Sequence, residues 1–362
     1  MKKRFLVVFT VLLIGALFFS ACAPAVEEAA PAEEEAVEEE EAAAEEEAPA
    51  AEEEKELVFA SVVKSIGDTW FVRYEEGVLK YGEDFGVTSF MEGPSDVDSA
   101  AQVAVIEDLI AQEVDVLVNV PYGVVENEAI QKKAMDAGIV VIGHEAETAS
   151  GDSLDYDLEG FEVCDAGEEE MRDLAAAMGE EGQYAQFVGS LTNASHNIWT
   201  DCGKAYQEAN YPNMEWVEKY ESKESAENGY TMMKDILKTY PGIKGIQSTD
   251  SVEVQGIGRA VDEAGLQDQI MVIGTCIVGD VGDLLQTGAV DYCMIWDPAD
   301  AAYATLVVGQ KVLNGEEITT GMDLGAPGYE SVTVRDGANG AKVIVGNAFA
   351  KINKDNMDEM NF

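Results

Sequence analysis

The sequence predicts an α/β protein made of two doubly wound parallel-sheet lobes that share one cleft, and three observations carry that expectation. Short, continuously apolar runs alternate with amphipathic segments; the alternation pauses once and restarts; and it begins only after an apolar leader and a glutamate-rich stretch. Strands that are apolar on both faces belong to parallel sheets covered by helices on both sides. Two such units in one chain turn the C-terminal ends of both sets of strands toward a common crevice.

Residues 1–22 read as a processing signal. Lys2, Lys3 and Arg4 form a basic start, and Phe5–Phe19 is an apolar run too short for a comfortable membrane span. Ser20-Ala21-Cys22 resembles a bacterial lipobox, in which Cys22 is lipidated and becomes the mature N-terminus, the alternative being an ordinary secretory signal cut nearby. Residues 23–56 are nearly all Ala, Glu and Pro. From Glu27 to Glu56 there are 16 glutamates, one lysine and no aromatic, the composition of an acidic tether rather than of a core.

The body starts near Leu57. Strands are expected at Leu57–Val63, Val87–Phe90, Val114–Val120 and Ile139–Gly143, separated by helices over Thr69–Tyr81, Asp98–Gln112 and Glu126–Ala137. After the restart, strands are expected at Ala185–Gly189, Glu215–Tyr220, Ile243–Ser248, Ile270–Thr275 and Val290–Trp296. The helices between them are Asn197–Ala209, Ala226–Tyr240, Val252–Ala264 and Val281–Thr287. Pro298–Leu313 is the best-signalled helix, with Asp297 as N-cap and Pro298 at the first helical position. A loop over Gly315–Gly328 and two short strand-like runs, Ser331–Val334 and Lys342–Val345, complete the body.

Composition narrows the function. The chain of 362 residues carries 71 acidic and 22 basic side chains, a net charge of −49, which repels nucleic acid and anionic membranes and suits a neutral or cationic ligand. Beyond Cys22 the cysteines are Cys164, Cys202, Cys276 and Cys293, with no metal-ligand spacing. Export permits disulfides, so Cys164–Cys202 and Cys276–Cys293 pairs stand beside the alternative of buried thiols. No Walker loop or dinucleotide fingerprint is present, and no nucleotide, redox or metal cofactor is expected.

Several segments that follow strands carry a resemblance. They are Lys64-Ser65-Ile66-Gly67-Asp68-Thr69-Trp70-Phe71, Gly143-His144-Glu145-Ala146-Glu147-Thr148, Ser195-His196-Asn197-Ile198-Trp199, Ser248-Thr249-Asp250-Ser251, Ile295-Trp296-Asp297, and the terminal Asn353-Lys354-Asp355-Asn356-Met357-Asp358. In order and spacing the body resembles the type I periplasmic binding proteins for sugars, and within them the rhamnose-binding and autoinducer-2-binding branch. The resemblance implies two lobes joined by a hinge that close over one ligand in the interlobe cleft. It assigns 57–158 plus about 298–328 to the first lobe, and 159–297 plus about 329–362 to the second.

Sugar sites combine carboxylates or amides, which bond hydroxyls, with flat rings that cover C–H faces. The resemblance places Lys64 at a ligand-contacting position, the alternative being a surface lysine. Of Trp70 and Phe71, one stacks on the ligand and the other packs into its lobe, unless both are core. Glu145 and Glu147 take the two acidic positions after the fourth strand, and His144 contacts ligand or is structural. Ser195 and His196 stand where autoinducer-2 binders carry Asp and Gln, and Thr249 and Ser251 where they carry Pro and Ala, which weighs against that ligand. Asn197 contacts ligand or caps its helix. Asp250 accepts hydroxyls or caps the helix at Val252, and Trp296 and Asp297 lie at the second crossing, Asp297 serving as cap and acceptor together. The ligand set is thus Lys64, Trp70, Phe71, Glu145, Glu147, Ser195, His196, Asn197, Asp250, Trp296 and Asp297.

Paired carboxylates also serve glycosidases, and Ser195-His196 brings to mind a hydrolase, but alternate residues in a loop do not establish the glycosidase spacing and no nucleophile elbow surrounds Ser195. The expected protein is a binding lipoprotein, not an enzyme. It captures a monosaccharide or related polyol by hinge closure and delivers it to an ABC permease driven by a cytoplasmic ATPase. It acts as a monomer, anchored by lipid on the outer side of the cytoplasmic membrane. The alternative is a ligand-binding module for a sensor or chemoreceptor, with a sugar or autoinducer-2-like ligand.

Overall fold

The apolar runs become the strands of two sheets. In the computed structural model, which describes residues 55–360 and 362, the first set comprises β1 (Val58–Val62), β2 (Thr88–Glu92), β3 (Val116–Asn119), β4 (Val140–His144) and β5 (Tyr156–Glu159). The leader over 1–22, the lipidation site Cys22 and all but the end of the tether over 23–56 lie outside the described residues. Helices α1 (Thr69–Phe85), α2 (Ser99–Ala111) and α3 (Val124–Asp136) connect the first four strands. Every pairing among these strands is parallel, in the order β2-β1-β3-β4-β5.

The second set repeats the plan. After α4 (Val163–Met178) come β6 (Gly182–Val188), α5 (Ala194–Asn210), β7 (Met214–Glu221), α6 (Ala226–Thr239) and β8 (Ile243–Ser248). Then follow α7 (Glu253–Ala264), β9 (Met271–Thr275), α8 (Val278–Thr287) and β10 (Tyr292–Ile295). Their order, β7-β6-β8-β9-β10, is the first lobe's order again. Each sheet therefore reverses direction between its first and third strands, the place where open α/β sheets bind ligands.

Three crossings join the lobes. The chain passes from β5 into α4, and from β10 into α9 (Pro298–Leu313), which packs on α1, β3 and β4 of the first lobe. The third crossing corrects the sequence expectation that 329–362 belongs to the second lobe. β12 (Lys342–Val345) pairs in parallel with β5, matching Val343 to Asp157, and β11 (Thr333–Asp336) pairs antiparallel with β12, so both extend the first sheet. Only β13 (Ala350–Ile352), antiparallel to β10, and the short 3₁₀ turn Met357–Met360 return to the second lobe. The reason is burial: Val343, Ile344 and Val345 lose nearly all their exposure against the first sheet's edge.

Both cysteine pairs are closed, Cys164 to Cys202 between α4 and α5, and Cys276 to Cys293 beside β9 and β10. Glycines set the helix crossings. A Cβ on Gly77 of α1 would lie 2.0 Å from the Ala299 carbonyl oxygen of α9. One on Gly167 of α4 would lie 2.1 Å from Trp199 O of α5, and one on Gly256 of α7 1.8 Å from Ala226 O of α6. At these points the helices meet backbone to backbone.

Candidate ligand-binding site

The loops that leave the C-terminal strand ends converge on a cavity between the lobes, with about 360 Å³ between its walls, the mouth included. Seven of the sequence-selected residues line it: Lys64, Trp70, Phe71, Glu145, His196, Asp250 and Trp296. Asp68, Glu224, Thr249, Ser251, Val252 and Thr275 complete the wall.

Lys64 follows β1 and Glu145 follows β4, and their side chains meet at 2.6 Å with almost no exposure. Burial opposes the charge on Lys64, but Glu145 and Glu224 outweigh it and hold the ammonium above its usual range. Burial alone would likewise raise Glu145; Lys64 overrides it and holds the carboxyl at about 2. Glu145 sits at φ 58, a left-handed backbone that turns its side chain back toward Lys64.

Asp68 caps α1, accepting from Phe71 N at 3.0 Å and from Ser65 Oγ at 2.8 Å. Asp250 accepts the N–H groups of Val252 and Glu253, each at 3.0 Å, so it fixes the start of α7 and faces the cavity at once. Burial pushes it up to about 6. Opposite Lys64, at 3.8 Å, stands Glu224 Oε1.

The rings form a cluster that spans the lobes. Trp70 meets Trp296 edge-on at 4.5 Å, Trp296 meets Phe161 at 5.2 Å, and Phe161 stacks on Trp199 at 5.7 Å. The His196 ring stacks on Trp199, and its Nδ1 accepts Gly189 N–H at 3.3 Å. Burial pushes this histidine down to about 3, so it is neutral. His144 bonds Leu158 O through Nδ1 at 2.6 Å and does not line the cavity; it is structural.

Four selected residues point elsewhere. Glu147 turns to Arg335 Nη2 at 2.7 Å, and Arg335 also grips Glu162, at the threshold of α4, at 3.0 Å. Ser195 Oγ donates to Glu159 Oε1 at 3.1 Å, and neither residue lines the cavity. Asn193, not Asn197, caps α5; Asn197 donates to Ser190 O and Asn193 O instead. Asp297 caps α9 through Ala299 N at 2.8 Å, and both its oxygens take the Arg73 guanidinium, at 2.9 and 2.6 Å, leaving it outside the cavity wall. Consecutive residues cannot all face one way, and two arginines, Arg335 and Arg73, each captured one of these acids. Sequence reasoning missed Glu224 because it lies in the polar run Glu221-Ser222-Lys223-Glu224; its place just after β7 was the available signal.

Among the described residues no cluster of His, Cys, Asp or Glu is arranged to hold a metal ion, and no helix is long and apolar enough to cross a membrane. Two doubly wound lobes with a polar, aromatic-walled cavity at their facing strand ends define a solute-binding protein. Residues 59–317 match the family described as periplasmic binding protein domain, and the chain belongs to that family. It is a binding protein rather than an enzyme. It is similar to the D-apiose import binding protein of Paraburkholderia graminis, 27% identical over 36% of this chain, and spans 41% of that protein's length. In fold it is similar to LsrB of Clostridium saccharobutylicum in complex with AI-2, at TM-score 0.77 and 19% identity, covering 84% of this chain and 100% of that one. It is equally similar, with TM-score 0.77 and 19% identity, to an ABC transporter solute binding protein of Clostridium phytofermentas with bound L-rhamnose, covering 84% and 98%.

Proposed function

We propose that the protein captures one monosaccharide or related polyol between its lobes and presents the closed complex to an ABC permease with a cytoplasmic ATPase. The observation that carries this reading is the cavity wall, in which buried carboxylates and one lysine stand beside the Trp70 and Trp296 rings, the pairing of groups that sugar hydroxyls and C–H faces require. The matched relative is named for D-apiose import, and one fold neighbour holds L-rhamnose, which supports the sugar class. In this reading Lys64, Glu145 and Asp250 bond the hydroxyls and Trp70, Phe71 and Trp296 cover the ring. The protein is exported, works as a monomer, and is tethered through lipidated Cys22 outside the cytoplasmic membrane.

A thermal-shift screen of the full chain against pentoses, hexoses, deoxysugars, polyols and nucleosides tests it, because a ligand that binds the native state raises the melting temperature. A sugar or polyol hit that Asp250→Ala abolishes is the expected result. A nucleoside hit, or sugar binding indifferent to Asp250→Ala, sinks it.

A further inference from the structure

Reading the chain as a sugar-capturing protein leaves open the charge of its ligand, and the cavity wall bears on it. Among the described residues that line it are four carboxylates, Asp68, Glu145, Glu224 and Asp250, against the single ammonium of Lys64. Three of the four are satisfied. Glu145 has Lys64 at 2.6 Å, Asp68 has two donors, and Asp250 has two backbone N–H groups. Glu224 is the exception. Its side chain is only 6% exposed, its Oε1 is buried without a hydrogen-bond partner, and the nearest cation, Lys64 at 3.8 Å, already serves Glu145.

This orphan is held in place deliberately. Lys223 and Glu224 both adopt left-handed backbone, at φ 59 and 51, a conformation that costs a residue with a side chain about 1 kcal/mol or more. Gly189 makes room: a Cβ there would lie 2.8 Å from Glu224 Cγ and 3.3 Å from Asp250 Cγ, so the two acids share one wall over that glycine. An ionised carboxylate buried without a partner costs several kcal/mol. Burial, with Asp250 and Glu145 adding like charge against the pull of Lys64, pushes Glu224 up to about 8. A neutral sugar brings hydroxyl donors to this wall but no charge. An ammonium brings three donors and the missing positive charge together.

We propose that the ligand is a cation, a monosaccharide or polyol bearing a primary amine, whose ammonium sits against Glu224 and Asp250 while its hydroxyls face Lys64 and Glu145.

Titration calorimetry of the full chain with matched pairs tests this: glucosamine against glucose, galactosamine against galactose, and aminated against plain pentitols. The expected result is an amine that binds on the order of 10- to 100-fold tighter than its neutral parent, as a charge-assisted hydrogen bond provides. In Glu224→Gln that ratio collapses toward one. A neutral parent that binds the wild-type chain as tightly as its amine overturns the cationic ligand and leaves sugar capture standing. An amine preference untouched by Glu224→Gln also overturns it, since the ammonium then lies elsewhere. Failure of both members of every pair overturns the cationic ligand and sugar capture together.

Discussion

The two lobes share one strand order but treat charge and covalent bracing differently. On the first lobe's side of the cleft, Lys64 and Glu145 neutralise each other at 2.6 Å, and the carboxyl is held at about 2. On the second lobe's side, Glu224 and Asp250 face the cavity without a cation of their own and are pushed up to about 8 and 6, chiefly by burial. Both disulfides lie in the second lobe, while the first lobe, among the described residues, has none. The contrast teaches that one wall is electrostatically complete before any ligand arrives, whereas the other is left unfinished and is carried by a braced scaffold. A buried unpaired carboxylate weakens its surroundings, and cross-links that stabilise the fold offset such a cost.

The largest effect expected from breaking this contrast is on the bracing. Replacing all four cysteines by alanine should cost the second lobe about 6 kcal/mol, about 3 for each loop closed. Urea unfolding of the full chain followed by tryptophan fluorescence should then show an early transition; a midpoint that does not move would mean the second lobe needs no bracing. Next, Lys64→Ala should remove measurable sugar binding and cost about 4 kcal/mol of stability, because it strands Glu145 as a buried charge. If that variant melts like the wild type, the first wall is not the completed one.

A smaller effect concerns Glu170, buried in α4 behind the second sheet with Gln247 Nε2 at 2.7 Å. Burial pushes its carboxyl up to about 8 from an ordinary value near 4.5. The folded state thus binds a proton that the unfolded state releases between those values. The stability this provides is complete below about pH 4.5 and is lost as pH rises through about 8, roughly 3 kcal/mol between pH 5 and 8. Glu170→Gln should flatten that dependence in urea titrations at the two pH values; an unchanged slope would assign it to other groups. The smallest effect is expected from Asp297→Ala, which removes a helix cap and the Arg73 partner for about 1 kcal/mol while leaving sugar affinity as it was. A marked loss of affinity would return Asp297 to the cleft.

The fold was legible where apolar runs were long and helices well signalled. Ile243–Ser248, Lys342–Val345 and Pro298–Leu313 fall within the bounds read from sequence. What escaped was short or acidic. β5 reads Tyr-Asp-Leu-Glu, α4 carries the acidic run Glu168-Glu169-Glu170 within its first half, and β13 has three residues, so none shows a clear period. The destination of β11 and β12 was hidden for a different reason: a strand's pattern tells which faces are buried, not which sheet's edge receives it. The site was legible to the level of the loop. Post-strand segments met at one cavity, but Glu147 and Asp297 went to Arg335 and Arg73, long side chains whose reach no local pattern records. Glu224 was hidden because its orientation rests on two consecutive left-handed residues in a stretch without glycine.

The glycines at the helix crossings have a mechanical consequence. Where Gly77 meets Ala299, Gly167 meets Trp199 and Gly256 meets Ala226, main chain presses on main chain, and no side chain can rearrange to absorb a shift. In the proposed hinge closure each lobe would then move as a stiff lever, with deformation concentrated in the three crossings at its fulcrum. A displacement of an ångström where a ligand touches the cleft floor becomes a larger sweep at the outer rims, the distance growing with the length of the arm. A partner that feels only those rims can thereby tell a filled cleft from an empty one without touching what is inside.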